Sequence, residues 1–163
     1  MGINLTNVQG LTATLAAVGT SVLDATEIAT AISGGKAINC LQTLGDITSS
    51  RSVKEYACMS SDEIAKSLGA LTLGNLQMDL LFDSTDLAGQ QDLIAMYADN
   101  SKRVLIIALN DDPTGTTHNP TYITFDVAVS SQPISLEKDS AVMIKNTVEI
   151  CSKPDLTLAA FTV

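Results

Sequence analysis

The sequence lacks most of the residue types on which metal sites and many active sites depend. Its 163 residues contain no tryptophan, three phenylalanines, three tyrosines and a single histidine, His118. The three cysteines, Cys40, Cys58 and Cys151, form no CxxC pair, so the ligand spacing of a structural zinc site is absent. We therefore predict three free, mostly buried thiols, no metal site and no other cofactor.

Positive charge is also scarce. The chain has 9 Lys and Arg against 18 Asp and Glu, which gives a net charge of −9. Nucleic-acid-binding modules place clustered Lys and Arg on the phosphates and stack aromatic side chains on the bases. This composition therefore argues against an ordinary module of that class. An acidic surface beside DNA would instead keep the polymer from adhering.

Long hydrophobic runs are missing, although 45% of the residues are apolar and the mean hydropathy is +0.25. The longest apolar run is 104–109, whereas a helix needs about 20 apolar residues to span a bilayer. No basic residue precedes Lys36, so the N-terminus lacks the charge pattern of a signal peptide. We predict no membrane insertion, synthesis in a cytoplasm, and apolar surface buried between subunits.

The clearest pattern that is present is a strand, a helix and a second strand at 76–110. Apolar and polar residues alternate over 75–83, which predicts a half-buried strand. Polar residues at 83–86 predict the cap of a helix over 87–99 that stops near 100–101. We expect Leu87, Ile94 and Tyr97 on its buried face, with Gln90 and Asp92 in water.

The run 104–109 is apolar on both faces and predicts a central strand that is covered on both sides. Alternating segments at 121–130 and 141–150 add two strands, and weaker ones at 12–18, 38–44 and 51–58 add three more. Seven strands to one helix predict a mainly β (α+β) fold, a β-sandwich or barrel with one flanking helix.

The predicted domain organisation is simple. Residues 1–10 form an N-terminal arm, 11–155 a single domain and 156–163 a C-terminal tail able to pair as an edge strand. Within the domain, the polar segment 44–70 is predicted as a long loop containing one helical turn. Loops of this length in compact domains commonly contact a partner.

The candidate catalytic and metal-binding residues each have a simpler explanation. Asp111 and Asp112 lack the spacing of an EF-hand, and His118 has no partner residue at a telling distance in the same loop. Asp83 and Asp86 could form a catalytic pair, but their position before a helix explains them as caps. We predict no enzymatic activity and no catalytic, cofactor or metal residues.

Several short segments follow one another in an order that is itself informative. They are a turn at 45–47 and EYAC at 55–58, DEIAKSLG at 62–69, LGNL at 73–76, LFD at 81–83 and GQQDL at 89–93. This order of segments resembles the major tail tube proteins of long-tailed (siphovirus-type) bacteriophages. The resemblance covers roughly residues 10–154.

The resemblance implies a structural subunit that assembles into hexameric rings, which stack into the tube through which the genome leaves the virion. Its partners would be further copies of itself, a tape measure protein, a tail terminator and baseplate or tip proteins. DNA would pass through the lumen without specific binding. The protein would be located in the virion, and in the host cytoplasm before assembly.

The resemblance also implies roles for particular segments. Neighbouring subunits would join their sheets around the ring into a continuous barrel that lines the lumen, and the helix 87–99 would pack on the outside of that barrel. The arm 1–10 and the loop 44–70 would reach the adjacent ring. Deleting 49–66 should then leave a folded subunit that cannot stack. Among acidic residues on polar strand faces, the candidates for the lumen are Asp79, Asp126 and Glu149. The candidates for the inter-ring contact are Asp46, Arg51, Lys54, Asp62, Glu63 and Lys66.

Two other interpretations remain open at this point. The chain could be the inner tube subunit of a contractile tail or injection device, which shares the ring organisation without necessarily carrying DNA. It could also be a small β-sandwich module that binds carbohydrate or Ca²⁺, which predicts a monomer and an aromatic binding face.

Overall fold

The computed structural model describes residues 12–17, 25–57, 64–86, 88–109, 121–136 and 141–157. In these ranges the chain is mainly β, which confirms the predicted fold class, and it has a second helix. The helices are α1, Ala25–Gly34, and α2, Gly89–Asp99. The strands are β1 Thr12–Ala16, β2 Lys36–Ala37, β3 Leu41–Leu44, β4 Ser49–Ala57, β5 Ile64–Leu73, β6 Asn75–Leu81, β7 Arg103–Ala108, β8 Tyr122–Ser131, β9 Ile134–Ser135, β10 Met143–Ile150 and β11 Asp155–Thr157.

Nine strands form one sheet, with the order β2-β1-β7-β8-β10-β6-β3 and with β11 and β9 paired to β8 and β10. The two end strands are separated in the chain by residues 38–40 alone. Ile38 N donates to Ala13 O (2.8 Å) and Leu81 N donates to Cys40 O (3.0 Å), so this link bonds to both ends of the sheet. The link therefore brings the two end strands together, so the sheet curls into a barrel, although no hydrogen-bonded ladder joins β2 to β3 in the described residues. Cys40 has a positive φ of 58° at the bend.

The side chain of Gln90 holds this closure in place from α2. It is buried, and its Nε2 donates to Asn39 O (3.1 Å) and to Leu81 O (2.8 Å). Its Oε1 accepts from Asp83 N (3.0 Å). The prediction that Gln90 remains in water was wrong, because three backbone groups at the closure compensate for burying its amide.

Asp86 caps the start of α2, as the sequence predicted. Its Oδ1 accepts hydrogen bonds from Ala88 N (3.0 Å) and Gly89 N (3.1 Å). Its Oδ2 accepts from Asn39 N (3.3 Å), so the same carboxylate also holds the closing link. The buried Asp86 is thus occupied by structural hydrogen bonds.

The residues on either side of α2 follow the prediction in part. Asp83, which was also predicted as a cap, bonds to Thr85 before the helix instead. Its carboxylate accepts from Thr85 Oγ1 (2.6 Å) and Thr85 N (2.8 Å), and these bonds hold the pKa of Asp83 below its ordinary value. Asn100 ends the helix with φ 54°, the left-handed conformation typical of that position. Leu87, the predicted first residue, lies outside the described residues.

The main core lies on the inner side of the barrel. Alternate residues of β1, β6, β7, β8 and β10 point into it, as the period of two in those strands requires. The buried members are Ala13, Leu15, Ile38, Leu76, Met78, Leu80, Leu93, Met96, Leu105, Ile107, Phe125, Val127, Val129, Val148 and Ile150.

The central strand β7 is buried on both faces, as predicted for the run 104–109. Leu105 and Ile107 belong to the main core. Val104 and Ile106 point to the outer side, where Ile28 of α1 packs on them in a second cluster. The helix α1 therefore covers the outer side of the barrel at β1 and β7.

The prediction for α2 was wrong about which apolar residues are buried. Ile94 and Tyr97 are 41% and 49% exposed, whereas Leu93 and Met96 are buried in the main core. The helix therefore packs on the core side of the subunit's own sheet. The spacing alone could not decide, because both pairs lie at helical intervals.

Asp92, which like Gln90 was predicted to stay in water, is also buried. Its Oδ1 accepts from Lys36 Nζ at 2.7 Å and its Oδ2 accepts from Arg103 Nε at 3.3 Å. The carboxylate thus joins β2, α2 and β7, and two cations compensate for its loss of water.

The segment 44–70 is not the weakly structured loop that the sequence predicted, although the strand predicted within it at 51–58 is present as β4. Its described residues belong mainly to β4 and β5, which pair with each other as a separate two-stranded sheet, the β4–β5 hairpin. No helical turn occurs in its described part. The alternation was hard to recognise because, apart from Leu73 at its base, the hairpin does not pack on the core, so both of its faces tolerate polar residues.

Gly89 allows α2 to approach the closing link, and this gives a testable prediction. A Cβ at Gly89 would contact Ala37 O and would lie 2.7 Å from Ile38 Cα, both of which are backbone atoms. We expect Gly89→Ala to destabilise the fold by about 2 kcal/mol and to lower Tm by about 4–8 °C. Gly34→Ala is the matched control, since a Cβ there meets no atom within 4 Å. Equal melting temperatures of the two variants in calorimetry would contradict the close approach.

Candidate assembly surfaces

The outward side chains of β8, β10 and β6 form a surface that we call the open face. Asp79, Asp126 and Glu149, the three acidic residues chosen from the sequence, all lie on it, because each alternates with residues of the main core. Lys145 of β10 lies directly opposite Asp79 of β6. These four side chains give the open face a local excess of negative charge.

Hydrogen bonds between side chains hold the middle of the open face. Thr147 Oγ1 donates to Gln77 Oε1 across β10 and β6 (3.2 Å). Ser130 Oγ lies 2.9 Å from Glu149 Oε1 and 3.1 Å from Thr147 O. Glu149 and Gln77 are exposed, so this polar surface is in contact with solvent.

Asp126 differs from the other two acidic candidates. One carboxylate oxygen, Oδ1, is buried and has no hydrogen-bond partner among the described residues. The backbone around it is well bonded, since Asp126 N donates to Ser152 Oγ (2.7 Å) and Cys151 N donates to Asp126 O (2.7 Å). Asp79 and Glu149 are therefore the better placed of the three to present charge to solvent.

The inter-ring candidates chosen from the sequence fall largely on the β4–β5 hairpin. Arg51 and Lys54 lie on β4, and Lys66 lies on β5. Lys66 Nζ is 3.0 Å from Glu55 Oε1, an exposed ion pair across the two strands. Asp46 lies before β4 and is exposed. The remaining candidates, Asp62 and Glu63, lie outside the described residues, as does the arm 1–10.

One face of the hairpin also carries apolar side chains, which the sequence analysis missed. Val53 lies opposite Leu68, and Ala57 lies opposite Ile64, on the same face as the Glu55–Lys66 pair. Val53, Leu68 and Ile64 are 53%, 69% and 58% exposed. We call these three residues the hairpin face. A two-stranded hairpin is marginally stable in water by itself, so a partner over this face would stabilise it.

Sites for chemistry are not found in the described ranges. They contain no group of three or more His, Cys, Asp or Glu residues that could hold a metal ion. They also contain no helix that is long and apolar enough to cross a membrane. Cys40 and Cys151 are free thiols, but the predicted burial is wrong for them, because Cys40 at the closing link is exposed and Cys151 is only partly buried. Asp111, Asp112, His118 and Cys58 lie outside the described residues.

The arrangement defines a mainly β barrel with a projecting hairpin and an uncovered polar sheet face. No protein-family model matches the sequence, and no curated protein matches it. Solved structures do match, and the matches cover most of this chain and most of each matched chain. A chain of the sheath/tube terminator of PVC, an extracellular contractile injection system, matches with a TM-score of 0.66 and 10% identity, over 93% of this chain and 95% of that chain.

Two further matches come from phage-type tails. A chain of the tail of an empty GTA particle with C6 symmetry matches with a TM-score of 0.62 and 10% identity, over 94% of this chain and 99% of that one. The SPP1 tail tube matches with a TM-score of 0.60 and 13% identity, over 94% of this chain and 81% of that one. At these identities the likeness establishes a shared fold, so the chain has the fold found in tail tubes and related injection systems.

Proposed function

We propose that the protein is a structural subunit that assembles into stacked hexameric rings forming a tail tube, with no enzymatic activity. The observation that carries the proposal is the fold itself, which covers more than nine-tenths of this chain in its matches to tube-forming particles. The projecting hairpin and the uncovered open face agree with it, because both are surfaces that a neighbouring subunit can cover.

In this proposal the open face lines the lumen. It carries Asp79 and Glu149 on neighbouring strands and is uncovered, whereas α1 covers the outer side of the barrel at β1 and β7. Six copies repeat the negative charge around the channel. Phosphates would then be repelled from the wall, so that DNA slides through without adhering.

The finer assignment is a tube of a long non-contractile tail that delivers DNA, as the sequence resemblance implies. The alternative is the inner tube of a contractile injection device. The matches to contractile systems favour this alternative, because the sheath-tube complex of the PVC particle also reaches a TM-score of 0.66, against 0.60 for SPP1. Co-expression with a candidate sheath protein distinguishes the two, since a contractile system requires a sheath wrapped on the tube.

The proposed partners follow from this role. They are further copies of the chain, a tape measure protein inside the tube, a terminator at one end and baseplate or tip proteins at the other. The protein would reside in the virion or injection particle after assembly in the host cytoplasm.

Native mass spectrometry tests the ring directly. We expect species whose masses are multiples of six subunits of 17.1 kDa. A monomer at every concentration, with a melting temperature that rises on adding Ca²⁺ or a carbohydrate, would instead support the small binding module and would contradict the proposal.

A further inference from the structure

A second exposed apolar cluster lies where β6 ends and β10 begins. Phe82 N donates to Val142 O (2.8 Å), one residue beyond the Leu81–Met143 pair that ends the β6–β10 ladder. On the other edge of β10, Ile144 pairs with Ile134 and Met143 with Ser135, so continuing the register places Leu136 opposite Val142. Phe82, Val142 and Leu136 therefore form one row across three chain segments, which we call the end row.

The end row extends the inner face of the barrel beyond its last covered residue. Phe82 lies two residues after Leu80, and Val142 lies two residues before Ile144, so each continues the same face of its strand. Leu80 and Ile144 are both buried. The row itself is open, with Phe82 48%, Val142 36% and Leu136 76% exposed. Side chains of this kind at the open end of a barrel offer an apolar surface to an incoming segment.

The end row and the hairpin face lie at opposite ends of the barrel. The hairpin joins β6 through Gly74 at the first residue of that strand, whereas the end row begins with Phe82, one residue after its last. The seven residues of β6 separate the two ends by about 23 Å at 3.3 Å per residue. The hairpin points away from the body, since every described residue of β4 is exposed.

A head-to-tail contact between subunits requires two different surfaces at opposite ends of one subunit. The hairpin face and the end row meet this requirement. Such a contact is heterologous, and when it does not close into a ring it generates an open stack. Resting on the proposed function, we propose that the end row is the surface that receives the β4–β5 hairpin of a subunit in the next ring. The occupant of the end row is therefore a second copy of this chain.

The charges of the hairpin agree with this occupant. Residues 49–73 contain three basic and three acidic side chains and are neutral, so the net charge of −9 belongs to the rest of the chain. A neutral hairpin can approach the acidic body of another copy without net repulsion. The reach is sufficient, because β5 alone spans ten residues, about 33 Å.

Two charged variants test the contact, one at each surface. Leu68→Asp places a charge on the hairpin face, and Leu136→Asp places one on the end row. Because both side chains are largely exposed, we expect both proteins to fold and to form rings. We expect each variant alone to require at least a ten-fold higher concentration than the wild type to form tubes in electron micrographs, since burying an unpaired charge opposes the contact. Leu136→Met, which keeps the apolar surface, is the matched control and should form tubes as the wild type does.

Mixing the two variants gives the sharper result. A Leu68→Asp ring keeps its end row, and a Leu136→Asp ring keeps its hairpin face, so one intact contact remains between unlike rings. We expect the mixture to stop at pairs of rings. Tubes of Leu136→Asp at the wild-type concentration, or a mixture that gives no ring pairs, would overturn the end row as the receiving surface. A wild-type protein that forms no rings or tubes would contradict the proposed function as well as the contact between rings.

Discussion

Replacing residues 50–72 by an Asn-Gly turn should leave a folded subunit that forms rings but no longer stacks them. The bounds come from the structure, in which Ser49 and Leu73 lie directly opposite each other at the base of the hairpin. A two-residue turn of this sequence joins paired antiparallel strands. The change keeps Leu73 against the core while removing strand residues that are mostly exposed.

The bounds 49–66 expected from the sequence would be a poorer choice. They would remove β4 while leaving the second half of β5 without its partner strand. An unpaired strand edge promotes aggregation, and aggregates would make a loss of ring stacking difficult to detect.

The readouts for the 50–72 replacement are calorimetry, native mass spectrometry and electron microscopy. We expect a melting temperature close to the wild type, six-subunit species and no tubes. A variant that fails to fold would mean that the hairpin belongs to the core. A variant that forms tubes at the wild-type concentration would mean that the hairpin takes no part in stacking.

Gln90→Leu should be among the most destabilising single substitutions in the barrel. The change leaves Asp83 N, Asn39 O and Leu81 O without the partner that they share. We expect a loss of about 3 kcal/mol in the free energy of unfolding, or about 6–12 °C in Tm, since each buried unpaired group costs about 1–3 kcal/mol when no water replaces the bond.

The neighbouring residue supplies the control for this prediction. Gln91 lies on the exposed side of α2, so Gln91→Leu should change the stability by less than about 0.5 kcal/mol. Chemical denaturation of both variants tests the difference. Equal stabilities would mean that the link between β2 and β3 is held by other bonds, such as those of Asp86.

The parts of the fold that the sequence predicted are those in which local pattern and tertiary environment agree. The run 104–109 is apolar throughout because both faces of β7 are covered, one by the main core and one by Ile28 of α1. Asp86 precedes a helix and does cap it. The open face could be anticipated because Asp79 and Glu149 alternate with buried residues.

The parts that the sequence did not predict depend on partners distant in the chain. Gln90 and Asp92 are polar, and only the closing link, Lys36 and Arg103 make their burial favourable. Apart from the strand at 51–58, the hairpin was interpreted as a loop because only Leu73 at its base packs against the core. The end row could not be recognised, because it arises from the register of β10 with two other segments.

Electron microscopy of the purified protein across a concentration series, beside light scattering, tests the central claim most directly. We expect hollow six-fold rings that stack into tubes as the concentration rises, with scattering that increases above a threshold. A uniform 17.1 kDa monomer over the whole series would contradict a subunit that assembles by itself.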